Sequence, residues 1–320
     1  MRNIFNIVLF LSLWMGVSVS HAQQYPEKPV RLISPIPPGG APDLVARSLA
    51  ATLTKQLGLS VFVENKVGSN GNIAADYVSH ATPDGYTLLV GMDSLFVINP
   101  FLYKKVPDAN KEFKPVATLA ANEFVLAINP KVPANNLKEF IEYVKKTKPA
   151  PAYASGGNGS QHHLTMEMLK ARSGMDLLHI PFKGGVEATT ATMGGDSVAM
   201  FSGTSNAGLI KSGKLKALAV SGVKRSKEMP DVPTIAETYP GFDNTIWIGL
   251  FAPKDVPEVI IQKLRIEVNK ALKDPGMIEA LNKAGGIEPL VTSPEEFANL
   301  IKKDQNKYST IIRSLNLQLD

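Results

Sequence analysis

Residues 30–43 read VRLISPIPPGGAPD, and this stretch decides the fold class. Its apolar start predicts a buried strand over 30–34, and the prolines and glycines that follow predict a stiff loop whose backbone amides a ligand can approach. Pro42 suits the first turn of a helix, and Asp43 complements the positive end of the helix dipole. A strand that runs through a Gly-rich loop into a helix is typical of α/β proteins, in which ligands bind at the strand carboxyl ends.

The same alternation continues along the chain and predicts parallel strands joined by crossover helices. The further predicted strands are 61–64, 86–91, 124–129, 152–155, 177–180, 198–201, 215–220 and 247–251. Predicted helices follow Pro42 and Ser293-Pro294, span 257–272, and begin after the capping candidates Asn135 and Asn136. The fold class is therefore α/β.

The chain has 320 residues, more than one hydrophobic core usually serves, so two lobes are expected. No internal repeat, low-complexity tract or Pro/Ser-rich linker divides it, as expected for a chain that crosses between its lobes. We place lobe 1 at residues 23–123 and 248–320, and lobe 2 at residues 124–247.

The first 22 residues predict a secretory signal peptide. Arg2 precedes an apolar run over 4–19, and Ser20-His21-Ala22 supplies small residues for cleavage after Ala22. The apolar run 7–14, which contains Ser12, is too short to cross about 30 Å of hydrocarbon as a membrane anchor. We therefore expect the mature chain in the periplasm.

Composition excludes several function classes. There is no cysteine, which excludes disulfides, thiolate metal sites and a cysteine nucleophile. The net charge of +5 comes from scattered Lys and Arg residues, and aromatic residues make up only 7%, so no nucleic-acid partner is predicted. The chain lacks G-x-x-x-x-G-K-[ST] and a complete G-x-G-x-x-G. We predict no cofactor and no metal site.

Four more loops of glycine and small polar residues follow or adjoin predicted strands. They are 92–94, 155–160, 183–185 and 202–206. A carboxylate or phosphate at the helix start after 155–160 would gain backbone N–H bonds and the favourable dipole end. The Ser160 hydroxyl suits either binding a ligand or capping this helix.

Catalytic motifs are mostly missing. His162 and His163 are neighbours about 100° apart on the predicted helix, unlike the i, i+4 pair of zinc hydrolases. Ser160 is not in a G-x-S-x-G nucleophile elbow. An exported hydrolase or isomerase that uses His162 or Asp93 remains the alternative to a binding protein.

Short motifs along the chain resemble those of the tripartite tricarboxylate transporter receptors, the Bug-type periplasmic binding proteins. The first motifs are Tyr25-Pro26, 29–33, 37–40 with Asp43, 63–65, 71–73 and 83–89. The later ones are 98–100, Leu102-Tyr103, 153–155, 157–160, Pro181 with Lys183-Gly184, Lys214-Leu215, 217–220, 224–226 and 230–234. The likeness covers nearly all of the chain after the signal peptide and keeps the expected order.

The resemblance implies a two-lobed Venus-flytrap fold, of the type II-like periplasmic-binding-protein class, with the ligand in a central cleft. It implies a receptor, not an enzyme, that captures a small mono- or dicarboxylate and delivers it to the membrane permease subunits of a tripartite transporter. Such receptors hold the carboxylate through loop amides, hydroxyls and waters rather than an arginine clamp. We expect a monomer.

The resemblance also assigns ligand contacts. The lobe 1 wall comprises Gly39, Gly40, Ala41 and Asp43, with Ser94 beside it. The lobe 2 wall comprises Gly159, Ser160, His162, Ser202 and Thr204. The positions expected to set ligand identity include Ile36, Asp93, Phe96, Gln161, Phe182 and Trp247. Phe96 stands where histidine is usual and Phe182 where tyrosine is usual, which predicts a pocket that accepts an apolar or aromatic ligand body.

Overall fold

The computed structural model describes residues 25–104, 106, 108–284 and 287–319. The predicted signal peptide and its cleavage point lie outside these residues. Across the described ranges, no helix combines the length and the apolar character needed to span a membrane.

Ten strands form the sheet of the described chain. They are β1 (Val30–Ser34), β2 (Val61–Asn65), β3 (Thr87–Met92), β4 (Phe113–Ile128), β5 (Ala152–Ser155), β6 (Leu178–Pro181), β7 (Ala199–Gly203), β8 (Lys216–Val220), β9 (Thr245–Pro253) and β10 (Glu288–Pro289). All nine predicted strands are present, most within two residues of their predicted bounds. The exception is β4, which begins at Phe113 instead of residue 124; β10 was not predicted.

The helices alternate with these strands as the sequence pattern predicts. They are α1 (Ala41–Leu57), α2 (Asn72–Ser79), α3 (Ser94–Val97), α4 (Asn99–Leu102), α5 (Ala109–Glu112), α6 (Leu137–Lys146), α7 (Gln161–Ser173), α8 (Gly185–Gly194), α9 (Ala207–Lys211), α10 (Glu258–Ala271), α11 (Pro275–Lys283) and α12 (Pro294–Ser314). Of the two capping candidates before α6, Asn136 is the cap, since its side chain accepts the Glu139 N–H at 2.9 Å.

The sheet is mixed rather than parallel. Its strand order is β2-β1-β3-β9-β4-β7-β5-β6, with β8 and β10 also paired to β4. β1 runs parallel to β2 and β3, and β5 runs parallel to β6 and β7. The expectation of parallel strands is wrong for the centre, where β4 is antiparallel to β7, β8, β9 and β10, and β9 is antiparallel to β3. These antiparallel pairs arise because β4 and β9 carry the chain between the halves of the sheet.

β4 connects the two halves. From Phe113 to Glu123 it pairs with β9, and from Phe124 onward it pairs with β7 and β8. One core includes Leu32 and Leu264 on the β1–β3 side, and a separate core includes Phe140 and Met166 on the β5–β7 side. The result is a two-lobed α/β fold whose lobes share crossing strands.

Candidate functional site

The loop between β1 and α1 is anchored by Asp43. This side chain is 1% exposed, and its carboxylate accepts the Gly39 N–H at 2.9 Å, Arg47 Nε at 2.9 Å and Asn65 Nδ2 at 2.7 Å. Asn65 also donates to the Ile36 carbonyl at 2.9 Å. Burial acts to raise the pKa of Asp43, but the three donors outweigh it and hold the pKa below its usual range. Asp43 therefore fixes the shape of this loop.

Two amides of this loop already have acceptors within the protein, because the Gly39 N–H donates to Asp43 at 2.9 Å and the Gly40 N–H to the Pro37 carbonyl at 3.4 Å. Gly39 is exposed and has a φ of 91°, a left-handed conformation that favours glycine. Gly40 precedes α1, and a Cβ there would lie 2.3 Å from Ile36 Cδ1. Gly40, Ala41 and Ile36 are half-buried, whereas Asp43 and Ser94, also predicted for the lobe 1 wall, are buried.

The loop between β5 and α7 is the lobe 2 counterpart. Ser160 caps α7, because its hydroxyl accepts the His163 N–H at 3.3 Å. The Gly159 N–H donates to Nδ1 of His163 at 3.0 Å, so this amide already has a partner. Of the two roles open to Ser160, the structure shows capping, which leaves an oxygen lone pair and the hydroxyl proton for a ligand.

His162 lies at the base of this loop in a half-buried position. Its ring centroid is 4.8 Å from that of Phe124 on β4. A Cβ at Gly156 would lie 3.0 Å from Nδ1 of this ring, and one at Gly185 3.3 Å from Nε2. Burial lowers the pKa of His162 to about 4, so the ring is neutral at neutral pH and can both donate and accept a hydrogen bond.

The loop after β7 joins the site to the crossing strand. Thr204 is fully buried, and its hydroxyl donates to Oδ1 of Asn122 on β4 at 2.7 Å. Ser202, also fully buried, accepts from Asn206 Nδ2 at 2.7 Å. Both hydroxyls are thus engaged within the protein.

Asp93 lies where the two lobes touch. Its carboxylate accepts the Ser94 N–H and Gln161 Nε2, each at 2.7 Å. Gln161 opens α7, and its Oε1 is 3.0 Å from the hydroxyl of Tyr308 on α12. Burial raises the pKa of Asp93 to about 7, against the smaller opposing effect of Gln161. A second contact between the lobes joins Asn70 Nδ2 to the carbonyl of Asn158, in the loop between β5 and α7, at 3.2 Å.

Three predicted specificity residues are aromatic, and two of them lie in the core. Phe96 and Trp247 are each 2% exposed. Phe96 stacks on Phe251 with centroids 3.9 Å apart, and Trp247 donates from Nε1 to Asp304 at 3.0 Å. Phe182 is half-buried beside the core of lobe 2. In this structure only Phe182 is partly accessible.

Sequence reasoning assigned no role to Asn72 and Asn99, which lie next to the lobe 1 loops. Asn99 Nδ2 donates to Asn72 Oδ1 at 2.8 Å and to the Asn70 carbonyl at 3.2 Å. Among the described residues, the buried atoms without a protein partner are Asn72 Nδ2, Asn99 Oδ1 and Ser34 Oγ. Such atoms usually bind water or a ligand. Asn72 lies in motif 71–73 of the family resemblance and Asn99 in motif 98–100. This resemblance is the signal in the sequence that could have pointed to them.

The family follows from comparison with known sequences. A model of the tripartite tricarboxylate transporter family receptor, TctC, matches residues 45–317. The chain belongs to the TctC family. One relative, a UPF0065 protein of Bordetella pertussis, is 34% identical over 312 residues, which is 96% of each chain.

Solved structures agree with this assignment and with the two-lobed fold. The periplasmic binding protein BugD has 34% identity and a TM-score of 0.82, covering 92% of this chain and 99% of its own. MatC from Rhodopseudomonas palustris, solved with bound malate, has 31% identity and a TM-score of 0.80, covering 90% of this chain and all of its own. TctC proteins are solute-binding receptors of the periplasm, and this chain is one of them.

Proposed function

We propose that this TctC receptor captures a small mono- or dicarboxylate between its two lobes and delivers it to the membrane subunits of a tripartite transporter. The observation that carries this is that two long helices, α1 in lobe 1 and α7 in lobe 2, each begin directly after a Gly-rich loop that follows a strand. First-turn amides have no acceptor within their own helix, and a carboxylate satisfies them while it gains from the dipole.

The charges near these loops suit a carboxylate held by neutral donors. Arg47 is paired with Asp43, and His162 is neutral at neutral pH. The contacts we propose are the Ala41 N–H beside the Gly39-Gly40 turn in lobe 1, and the Ser160 hydroxyl, the His162 ring and the first two amides of α7 in lobe 2. Malate in the related MatC supports a dicarboxylate of similar size.

The half-buried ring of Phe182 supports a ligand body with apolar carbon atoms. By contrast, Phe96 and Trp247 would influence ligand binding only through their packing, because both are enclosed in the core. We therefore place the ligand body against Phe182 and not against these two rings.

A thermal-shift screen tests the function. Protein spanning residues 23–320, unfolded and refolded to strip bound ligand, is heated with malate, succinate, benzoate and nicotinate, and with malamide and benzamide as uncharged controls. Ligand at about 100 times its Kd should add about 2.7 kcal/mol to the free energy of unfolding. Shifts by acids but not amides support the proposal. Equal shifts by amides, or none with any acid, would contradict it.

We also propose that the receptor is exported, cleaved after Ala22 and monomeric. Mass spectrometry of protein recovered from the periplasm should give a chain that begins at Gln23. Light scattering during gel filtration should give the mass of one chain. An uncleaved N-terminus or a dimer mass would refute the corresponding statement.

A further inference from the structure

Two histidine rings stack beneath the loop that joins β5 to α7. His163 on α7 and His179 on β6 have ring centroids 4.0 Å apart and an interplanar angle of 7°. Tyr153 on β5 extends the stack, with its centroid 4.9 Å from that of His179. His163 is 5% exposed, so these rings support the loop from inside the lobe.

Each histidine binds one end of the loop. Nδ1 of His163 accepts the Gly159 N–H at 3.0 Å. Nε2 of His179 lies 2.6 Å from the Ser155 hydroxyl, which also accepts the Gly157 N–H at 3.1 Å. Because a backbone N–H needs an unprotonated acceptor, the bond to His163 exists only when that ring is neutral and carries its proton on Nε2.

The surroundings favour neutral rings. Burial lowers the pKa of His163; Glu167 on the same helix opposes this effect and Lys170 adds to it. Glu167 is itself engaged, since it accepts from the Tyr153 hydroxyl at 2.7 Å and from Lys170 Nζ at 2.8 Å. Burial, with His163 and Lys170, lowers the pKa of His179 to about 4. These are the titratable and charged groups that face the pair from α7, β5 and β6 in the described structure.

We propose that His163 and His179 are positioning residues that hold the lobe 2 loop in the conformation that places the start of α7 at the cleft. A proton on Nδ1 of His163 turns the acceptor into a donor that faces the Gly159 N–H, and it places a charge against the neighbouring ring. Acid should therefore release the loop. The consequence for ligand affinity rests on the proposed function, whereas the support of the loop does not.

The test uses NMR of ligand-free protein labelled with ¹⁵N-glycine. His163→Leu fills similar space but cannot accept a hydrogen bond, so the protection of the Gly159 amide from exchange should fall about tenfold or more. His163→Asn places Oδ1 close to the position of Nδ1, so protection should return. In the wild type, the Gly159 amide proton resonance should move as the pH is lowered through the titration of His163, and in His163→Asn it should not.

Gly159 protection that is unchanged in His163→Leu, or a wild-type resonance with no acid transition, would overturn the proposal. If His163→Leu does not fold, the comparison of the wild-type and His163→Asn pH series decides. Malate affinity at neutral pH should fall in His163→Leu and recover in His163→Asn. If malate and the other acids of the screen do not bind the wild type, the proposed function fails, while the Gly159 measurements still decide the positioning role.

Discussion

Asp43, in the first turn of α1, and Asp93, directly after β3, lie near the carboxyl ends of two neighbouring strands, and each is 1% exposed. Asp43 takes its hydrogen bonds from Arg47 and Asn65 within its own lobe, and its pKa is low. Asp93 takes one from Gln161 in the other lobe, and its pKa is raised to about 7. Equal exposure thus accompanies opposite pKa shifts. Three donors, one of them cationic, outweigh the effect of burial at Asp43, whereas burial and the nearby Asp304 carboxylate outweigh the neutral donors at Asp93.

Because their hydrogen-bond partners differ, the two aspartates have different roles. The Asp43 network lies inside lobe 1 and can persist whether the lobes are open or closed. The bond between Asp93 and Gln161 joins residues that we assign to different lobes. We therefore infer that Asp43 keeps the ligand loop in shape and that Asp93 contributes to the balance between open and closed states.

Asp43→Ala should have the largest effect on stability. It removes the buried acceptor shared by the Gly39 N–H, Asn65 Nδ2 and Arg47 Nε. Because hydrogen bonds to a charged group contribute about 1.5–3 kcal/mol, the loss should be about 3 kcal/mol of unfolding free energy. Urea denaturation measures this, with Asp231→Ala at an exposed position as the matched control. A loss no greater than in the control would show that Asp43 does not anchor the loop.

Asp93→Asn should change how stability depends on pH. Because the folded-state pKa of Asp93 is about 7 against an ordinary 3.8, the folded protein retains a proton that the unfolded chain releases. This stabilisation is full in acid and is lost as the pH rises towards 7. Relative to the wild type, the variant should gain about 2 kcal/mol of unfolding free energy between about pH 5 and pH 8.

Urea denaturation of both proteins at the two pH values checks this. The histidines with lowered pKa act in the opposite direction, but they are present in both proteins and cancel in the difference. If the difference in unfolding free energy between the two proteins does not vary with pH, the pKa of Asp93 is not raised in the folded protein.

Gln161→Leu should weaken closure. It removes the hydrogen bond that Asp93 receives from lobe 2 and should reduce affinity for the carboxylate found in the screen about tenfold. Titration calorimetry gives the affinity, and small-angle scattering of the ligand-bound protein should show a larger radius of gyration than in the wild type. If the affinity and the radius of gyration are unchanged, the hydrogen bond between Gln161 and Asp93 does not contribute to closure.

Arg47→Met should have the smallest effect. Half of the Arg47 side chain is exposed, so its ion pair with Asp43 should contribute only about 0.5 kcal/mol. Asn65 and Gly39 keep the carboxylate satisfied in the variant. Urea denaturation that shows a loss as large as in Asp43→Ala would mean that the cation, and not the amide donors, holds Asp43.

Strands, loops and helix starts that depend on the local sequence pattern were predictable from the sequence. The strand, the Gly-rich loop and the helix start of residues 30–43 follow one another along the chain, so local pattern alone places them. The helix start at Ser160 was predictable for the same reason. The family resemblance then supplied the two-lobed fold.

Partners distant in sequence were not predictable. The local sequence does not show that Asn65 donates a hydrogen bond to Asp43, or that Gln161 donates one to Asp93, because tertiary packing brings these pairs together. The long first half of β4 was missed because Pro115 and Lys114 interrupt its apolar pattern. Trp247 was expected at the ligand from the family resemblance, and nothing in the local sequence pattern shows that its ring is enclosed in the core.

We expect the loops before α1 and α7 to hold the ligand carboxylate together. Hydrogen–deuterium exchange with and without the carboxylate that binds most tightly in the screen tests it most directly. We predict that bound ligand protects the amides of 39–43 and those of 160–163 together, and that its amide analogue protects neither. Protection of one segment alone, or of residues away from both loops, would contradict the account.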